Sequence, residues 1–206
     1  SEYLNKKVLK SIKKLNINSF EGYLLHDEKD LLSSKSDEIF EVLTLLKKKG
    51  YIKKIGISMY NFDKAIEVIK NYKIDIIQLP YNLFDRRLEN SKLLKLARKQ
   101  KVEIHVRSIF LQGLLLCDLK KIPNKLKKYK SYFKIIDSFC KKNDISKHEL
   151  CLRFVLMNKS IKKIIIGIDN KKNILDIEKI DFKKLNFEFP KIYLKSTSLI
   201  DPRKWS

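Results

Sequence analysis

Five short apolar runs, separated by stretches with helical spacing, constrain the fold of this chain more than any other feature. Each run is five to seven residues long, and the runs occupy residues 20–26, 53–58, 75–79, 102–108 and 162–168. Continuous hydrophobicity of this kind is typical of parallel strands whose two faces are both covered. An α/β fold with a parallel sheet is therefore predicted.

The stretches between the apolar runs predict amphipathic helices, with Asn61 as a cap and Gly50 as a stop. They cover residues 2–16, 37–49, 61–71, 91–100, 170–180 and, as two patterns, 124–158. Regular alternation of strands and helices indicates a (β/α)8 TIM-barrel type, which needs eight units and about 250 residues when complete. This chain has five predicted strands and begins with a helix. We therefore expect a single partial barrel domain over residues 1–206, in which the first three strands are absent and residues 186–206 form a tail.

The chain carries a formal net charge of +22, from 46 Lys and Arg residues against 24 Asp and Glu residues. The lysines are spread over every predicted helix. This distribution favours lysines that lie on solvated helix faces, and we expect no specific nucleic-acid partner. A basic module that binds nucleic acid or another polyanion stays open as an alternative. No apolar stretch approaches the length of a membrane span, and the start does not resemble a signal peptide, so we expect a cytoplasmic protein without a membrane partner. The sequence does not indicate an oligomeric state.

Metal binding and thiol chemistry are not indicated by the cysteines. Cys117, Cys140 and Cys151 are widely spaced and form no CxxC pair, so three reduced thiols are predicted. No pair of carboxylates and no His/Asp cluster has the spacing of metal ligands. We therefore expect no metal site.

Polar residues end several of the predicted strands, and parallel strands bring their carboxyl ends to one edge of a sheet. His26 is either a buried imidazole that donates to a substrate oxyanion or a core histidine bonded to a backbone carbonyl. Ser58 and Gln78 suit a nicotinamide carboxamide, which needs one donor and one acceptor, although each alone is more often a satisfied strand-end group.

The fourth and fifth strands end in groups suited to a phosphate. Arg107 can stack on a flat ring, hold a phosphate or form a surface salt bridge, and Ser108 follows it. Gly167 lies within the last predicted strand, and Asp169-Asn170 begins a helix whose amino end can receive a phosphate. No GxGxxG or GxxxxGK[ST] follows any strand, which disfavours a Rossmann or P-loop site. His105 and His148 are interpreted as structural.

Several of these segments together resemble the aldo/keto reductase family. Residues 24–27 are similar to its LxLHxP strand end, 50–58 to its GKxRxIGVSN element, and 77–82 to its xNQxxYN element. Residues 106–115 resemble the strand and loop with Ser-x-x-x-Gln-Gly-Leu-Leu, and 164–170 the final IPG-type strand. The form of that loop and the Ile-Asp-Pro-Arg-Lys-Trp tail are most similar to bacterial members associated with surface-polysaccharide sugar metabolism.

The resemblance implies a barrel that binds NADPH, with NADH as an alternative, and that reduces a small-molecule aldehyde or ketone, here sugar-derived. It assigns His26 to polarising the substrate carbonyl, and Ser58 and Gln78 to holding the carboxamide. Arg107 then stands where the family stacks an aromatic ring on the nicotinamide. The segment that covers the pyrophosphate in the family is matched by Ser108, Leu111, Gln112 and Gly113. The segment that receives the adenosine phosphate is matched by Gly167, Asp169 and Asn170.

The chain departs from the family at two places. Met59 stands where most members have an Asn that contacts the carboxamide. In the family a Tyr supplies the proton to the carbonyl oxygen, a Lys lowers the pKa of that Tyr and an Asp supports the Lys, and all three come from strands that this chain does not contain. We therefore expect the 206 residues alone to be inactive and poorly soluble, and a catalytically dead fragment or pseudo-enzyme with a retained binding face is the alternative.

Overall fold

The computed structural model describes residues 2–168, 171–180, 188–192, 194 and 197–205. Five strands form one sheet in the order β1-β2-β3-β4-β5, which is also their order along the chain. They are β1 (Tyr23–Leu25), β2 (Ile55–Ser58), β3 (Ile76–Pro80), β4 (Glu103–Arg107) and β5 (Ile161–Ile164). β1 pairs with β2, and β2 with β3, in parallel. The predicted α/β fold with a parallel sheet is confirmed.

Helices precede, separate and follow the strands, and all but the last lie close to their predicted positions. They are α1 (Glu2–Leu15), α2 (Ser36–Lys48), α3 (Phe62–Asn71), α4 (Lys92–Gln100), α5 (Lys130–Asn143), α6 (Lys147–Leu156), α7 (Lys171–Glu178) and α8 (Thr197–Ile200). Asn61 caps α3, because its side chain accepts hydrogen bonds from the backbone N–H groups of Asp63 and Lys64. Gly50 follows α2 with φ +79°, a left-handed conformation that glycine adopts without strain.

The chain divides into two compact units. Unit 1 consists of Ser1–Leu79 and Glu89–His105, and unit 2 consists of Pro80–Leu88 and Val106–Ser206. The prediction of a single domain over residues 1–206 stays a prediction. Within the described ranges, no helix combines the length and the apolar character needed to cross a membrane.

Close approach of three strands organises the core of unit 1. In the register of the sheet, Gly56 of β2 is paired with Leu24 of β1 on one side and with Ile76 of β3 on the other. A Cβ at Gly56 would lie 2.9 Å from the Cγ of Leu24, and 2.9 Å from both the Cβ and the backbone oxygen of Ile76. Only glycine fits this position without movement of backbone atoms.

Ion pairs join several segments of unit 1. Lys54 Nζ lies 2.9 Å from Glu103 Oε1 and 3.2 Å from Glu21 Oε1, and the Nε2 atom of the buried His105 lies 3.2 Å from Glu103 Oε2. The hydrogen bond from Lys54 is the main reason that the pKa of Glu103 is below its ordinary value of 4.5. His105 is therefore hydrogen-bonded to a carboxylate of this ion network, which agrees with its structural interpretation.

The core of unit 2 is formed by α5, α6 and the residues after β4. α6 buries six consecutive residues, Leu150 to Val155, and its Phe154 ring stacks on Tyr81 with ring centroids 5.0 Å apart. The tail packs as well, since Leu199 and Ile200 are buried and the indole of Trp205 donates to the backbone oxygen of Leu199.

β5 is shorter than the sequence predicts. The apolar run 162–168 predicts a strand that includes Gly167, whereas β5 ends at Ile164, and Ile165 and Ile168 are 44% and 48% exposed. The prediction that Gly167 lies in the strand was wrong. An apolar run predicts a strand, but the strand ends where the backbone no longer has a neighbouring strand to pair with, and the run does not specify that residue. β4 ends at Arg107, and the last backbone bond toward it runs from Ile165 N–H to the Val106 oxygen.

We predict that Gly56→Ala lowers the free energy of unfolding by about 1–3 kcal/mol, because the added methyl group meets a backbone oxygen that no rotamer change can move. Gly167→Ala is the matched control, since a Cβ at Gly167 would have no heavy atom within 4 Å and should change stability by less than about 0.5 kcal/mol. Chemical unfolding of both variants provides the measurement. Equal stability of the two variants would contradict the close approach at β2.

We also predict that acid weakens unit 1 through Glu103. Because the folded pKa of Glu103 lies below its ordinary value of 4.5, its stabilising contribution is complete above that value and is lost as the pH falls through the lowered folded pKa. Glu103→Gln should therefore reduce the loss of unfolding free energy on acidification. Glu67→Gln, on the exposed face of α3, is the control and should leave the pH profile of unfolding unchanged.

Candidate functional site

The carboxyl edge of β1, β2 and β3 carries three of the predicted site residues in neighbouring register positions. Leu25 pairs with Ile57 and Ser58 pairs with Gln78, so His26 follows its strand at the level of Ser58. The hydroxyl of Ser58 donates to Gln78 Oε1 at 2.9 Å. Ser58 is buried and Gln78 is half-buried. Unit 1 therefore brings these three predicted residues to one edge.

His26 is exposed, so the burial assumed in both interpretations of this residue, as a buried catalytic imidazole and as a core histidine, is wrong. β1 has only three residues, and burial along it ends at Leu25. Asp27 then turns the chain by accepting a hydrogen bond from the backbone N–H of Lys29, which starts a short 3-10 helix. Within the described part of the chain, the imidazole has no hydrogen-bond partner, so it is available to a ligand at this edge.

Two contacts fix the loop that follows β2. The Met59 side chain is fully buried, and the backbone N–H of Met59 donates to the backbone oxygen of Gln78 at 2.9 Å. The Glu28 carboxylate accepts hydrogen bonds from the backbone N–H groups of Tyr60 and Asn61. The family Asn position is thus filled by a core residue, and Glu28 supports the loop instead.

A cavity of about 430 Å³ lies in unit 2 at the end of β4. Its lining includes five of the residues predicted to bind the cofactor, and these are Arg107, Ser108, Gln112, Gly113 and Gly167. Leu111, also predicted, is fully buried and anchors the loop between Ser108 and Gly113. Asp169 and Asn170 lie outside the described residues. The cavity therefore collects residues that are separated by about 60 positions in the sequence.

The backbone of the cavity loop has an uncommon conformation. Ser108, Leu111, Gln112 and Gly113 all have positive φ, at 57°, 49°, 52° and 79°. Left-handed backbone is unfavourable for non-glycine residues and concentrates at functional sites. The loop is closed by bonds from Leu111 N–H to the Ser108 oxygen at 2.9 Å and from Leu115 N–H to the Phe110 oxygen at 3.2 Å.

This conformation leaves backbone donors at the cavity. Among the described residues, the N–H groups of Ile109, Phe110, Gln112 and Gly113 have no protein acceptor, and all four residues line the cavity. The half-buried Arg107 adds a guanidinium to the wall, and its Nη1 donates to Ser108 Oγ at 3.3 Å. Several N–H donors next to one permanent cation form a suitable environment for an anion such as a phosphate.

Several residues of the cavity wall were not predicted. They are Ile109, Phe110, Leu116, His148, Ile165, Ile166, Asn173 and Ile177. His148, interpreted as structural, lies edge-on to Phe110 with ring centroids 5.3 Å apart. It comes from the first turn of α6, whereas the sequence search followed the ends of strands. Asn173 and Ile177 are four residues apart on α7, and that spacing is the one signal that places both on the same helix face.

No group of three His, Cys, Asp or Glu residues in the described ranges is placed to hold a metal ion. Cys117, Cys140 and Cys151 are free thiols. Burial raises the pKa of Cys140 to about 11 and raises that of Cys151 further, so both thiols stay protonated at neutral pH.

Comparison with known proteins yields partial relatives. The chain is 32% identical to an NADH-specific methylglyoxal reductase of Escherichia coli over 115 residues, 55% of this chain and 35% of that enzyme. It is 30% identical to an uncharacterized oxidoreductase of Bacillus subtilis over 113 residues, 55% of this chain and 36% of that protein. The chain thus spans about a third of the length of the curated relatives it matches.

Solved structures show the same fold. A glycerol dehydrogenase of Gluconobacter oxydans superimposes with a TM-score of 0.67 at 22% identity, covering 85% of this chain and 57% of that one. An aldo-keto reductase of Bacillus halodurans superimposes with a TM-score of 0.66 at 21% identity, covering 94% of this chain and 71% of that one. Both likenesses support an α/β fold of the TIM-barrel type, of which this chain contributes five strands.

The family assignment rests on a longer match than either curated relative provides. Residues 1–191 match the model of the aldo/keto reductase family, and this range includes β1 to β5 and the cavity of unit 2. The chain therefore belongs to the aldo/keto reductase family.

Proposed function

We propose that this chain is part of an NAD(P)H-dependent oxidoreductase that reduces an aldehyde or ketone, with a sugar-derived carbonyl compound as the substrate. The observation that carries the proposal is the row of four backbone N–H groups at the cavity of unit 2 that have no acceptor in the described part of the chain. Family membership supplies the reaction type, and the cavity supplies a place for the phosphates of a dinucleotide.

The residues of the cavity fit the phosphate end of such a cofactor. The loop amides of Gln112 and Gly113 would donate to phosphate oxygens, and Arg107 would add a charge-assisted bond or stack on a flat ring. Gly167, which is exposed and has no heavy atom within 4 Å of a notional Cβ, leaves open space in the cavity wall. Ser108 contributes its hydroxyl.

The edge of unit 1 fits a carboxamide. Gln78 Oε1 accepts from the Ser58 hydroxyl, so the Nε2 group of Gln78 is directed by that bond and remains able to donate to a carboxamide oxygen. His26, exposed and unpartnered among the described residues, would donate to the oxygen of a substrate carbonyl. When bound, the reduced nicotinamide supplies the hydride for such a carbonyl.

In the family, a Tyr supported by a Lys and an Asp acts as the general acid. No such set of three residues lies at the strand ends that the structure describes. Loss of such an acid costs about 10²–10⁴-fold in rate. We therefore propose that the purified 206-residue chain binds cofactor and does not reduce carbonyl compounds at a useful rate.

The proposal includes NADPH as the preferred cofactor and NADH as the alternative. The net charge of +22 favours the more anionic dinucleotide. The E. coli relative is named as NADH-specific, so both forms need to be titrated.

We predict that Arg107→Met weakens the binding of NADPH to the 206-residue chain by about tenfold or more, because it removes the guanidinium from the cavity wall. Arg98→Met on the exposed face of α4 makes the same charge change and should leave the dissociation constant within about twofold. Titration of NADPH fluorescence measures both. Equal weakening by the two variants, with a steep loss of affinity as salt rises, would indicate binding of polyanions in general.

We predict that Gln78→Leu weakens the binding of reduced nicotinamide mononucleotide by about fivefold or more and leaves ADP binding unchanged, because the Gln78 amide belongs to the carboxamide edge alone. Gln100→Leu, at the exposed end of α4, is the matched control. Isothermal calorimetry with each half of the dinucleotide separates the two effects. A loss of ADP affinity in the Gln78→Leu variant would contradict the assignment of Gln78 to the carboxamide.

A further inference from the structure

Asn82 is a fully buried polar residue of unit 2 that the proposed function leaves without a role. Its side chain makes three hydrogen bonds. Nδ2 donates to the backbone oxygen of Ser108 at 3.0 Å, while Oδ1 accepts from the N–H groups of Phe84 at 3.0 Å and Asp85 at 2.9 Å. A buried amide with these bonds has one defined orientation.

The partner of Asn82 is the first residue of the cavity loop with left-handed backbone. Ser108 has φ +57°, which is unfavourable for a residue with a Cβ and needs compensating contacts. The adjacent Tyr81 donates its backbone N–H to the Arg107 oxygen at 3.2 Å. Residues 81 and 82 therefore hold two successive carbonyl oxygens, those of Arg107 and Ser108, at the point where β4 turns into the loop.

The segment that carries Asn82 is itself fixed. The Asp85 side chain is fully buried and receives two bonds from the Arg87 guanidinium, from Nε to Oδ1 and from Nη2 to Oδ2, both at 2.8 Å. The backbone N–H of Asn82 donates to the Asp85 oxygen at 3.2 Å. Because a bidentate ion pair is rigid, the Asn82 amide has little freedom to follow the loop if the loop moves.

We propose that Asn82 is a positioning residue for the phosphate end of the dinucleotide, an inference that rests on the proposed function. By holding the Ser108 oxygen, Asn82 keeps Ser108 left-handed, and this conformation directs the Arg107 side chain and the following N–H groups to the cavity. Asn82 touches no ligand in this role and acts through Ser108.

The first test observes the backbone of Ser108 by NMR. In the unaltered chain the intraresidue HN–Hα NOE and the backbone chemical shifts of Ser108 should indicate positive φ, and in Asn82→Ala they should move toward extended values. Asn143→Ala is the matched control, because it also removes a bond from an Asn Nδ2 to a backbone oxygen, that of Phe139 at 2.8 Å, on the exposed end of α5. Unchanged Ser108 signals in Asn82→Ala would overturn the proposal.

The second test couples Asn82 to Ser108 through ligand binding. Asn82→Ala should weaken ADP binding about tenfold, whereas in the presence of Ser108→Gly the same change should cost less than about threefold, since glycine adopts positive φ without support. Equal losses in the two backgrounds would show that Asn82 does not act through Ser108 and would overturn the proposal. If the alanine variant does not fold, Asn82→Asp retains an oxygen acceptor and removes the donor to Ser108, while it adds a negative charge.

The two tests separate failure of this inference from failure of the proposed function. If the unaltered chain binds neither ADP nor NADPH, the proposed function is wrong, and the NMR signals of Ser108 still decide whether Asn82 sets the loop conformation. If the unaltered chain binds ADP and Asn82→Ala binds it equally well, the proposed function stands and the role of Asn82 is refuted.

Discussion

The register of the parallel strands in unit 1 determines which polar residues share an edge, and that register depends on the missing side chain at Gly56. Leu24 and Ile76 approach the middle of β2 to distances that no Cβ would permit. With the pairs Leu24–Gly56 and Gly56–Ile76 in place, Ser58 and Gln78 are paired two residues further along β2 and β3. Ser58 and Gln78 then form a hydrogen bond, and His26 reaches the same level.

The two edges of the unit 1 strands differ in charge. Glu21, Lys54 and Glu103 form ion pairs near the amino ends, and the Asp75 carboxylate accepts from both Lys47 and the backbone N–H of Ile55. The carboxyl ends carry the neutral groups Ser58 and Gln78 instead. Paired charges stabilise the fold at one edge, and neutral hydrogen-bonding groups lie at the other, a division typical of TIM-barrel proteins.

Unit 2 combines an uncommon backbone geometry with one guanidinium, that of Arg107, at its cavity. The cavity loop carries left-handed residues that are unfavourable in isolation, and four of its residues that line the cavity have backbone N–H groups without an acceptor among the described residues. Unpaired N–H groups are costly when buried in apolar surroundings and acceptable where water or an anion can reach them. The strained turn at Ser108 and the donors it exposes are thus two consequences of one loop conformation, which Asn82 and Tyr81 hold from the neighbouring strand end.

By itself the sequence determined the five strands, their order, most helix boundaries and the resemblance to the aldo/keto reductases, because hydrophobic periodicity and caps such as Asn61 act over a few residues. Only the tertiary structure decided that His26 is exposed, that β5 stops before Gly167, and that His148 and Asn173 face the cavity. Burial, strand length and the meeting of distant helices depend on partners far along the chain. The backbone N–H donors of the cavity loop could not be predicted from the sequence either. Left-handed backbone at Ser108 and Gln112 is imposed by tertiary contacts, and neither residue type indicates it.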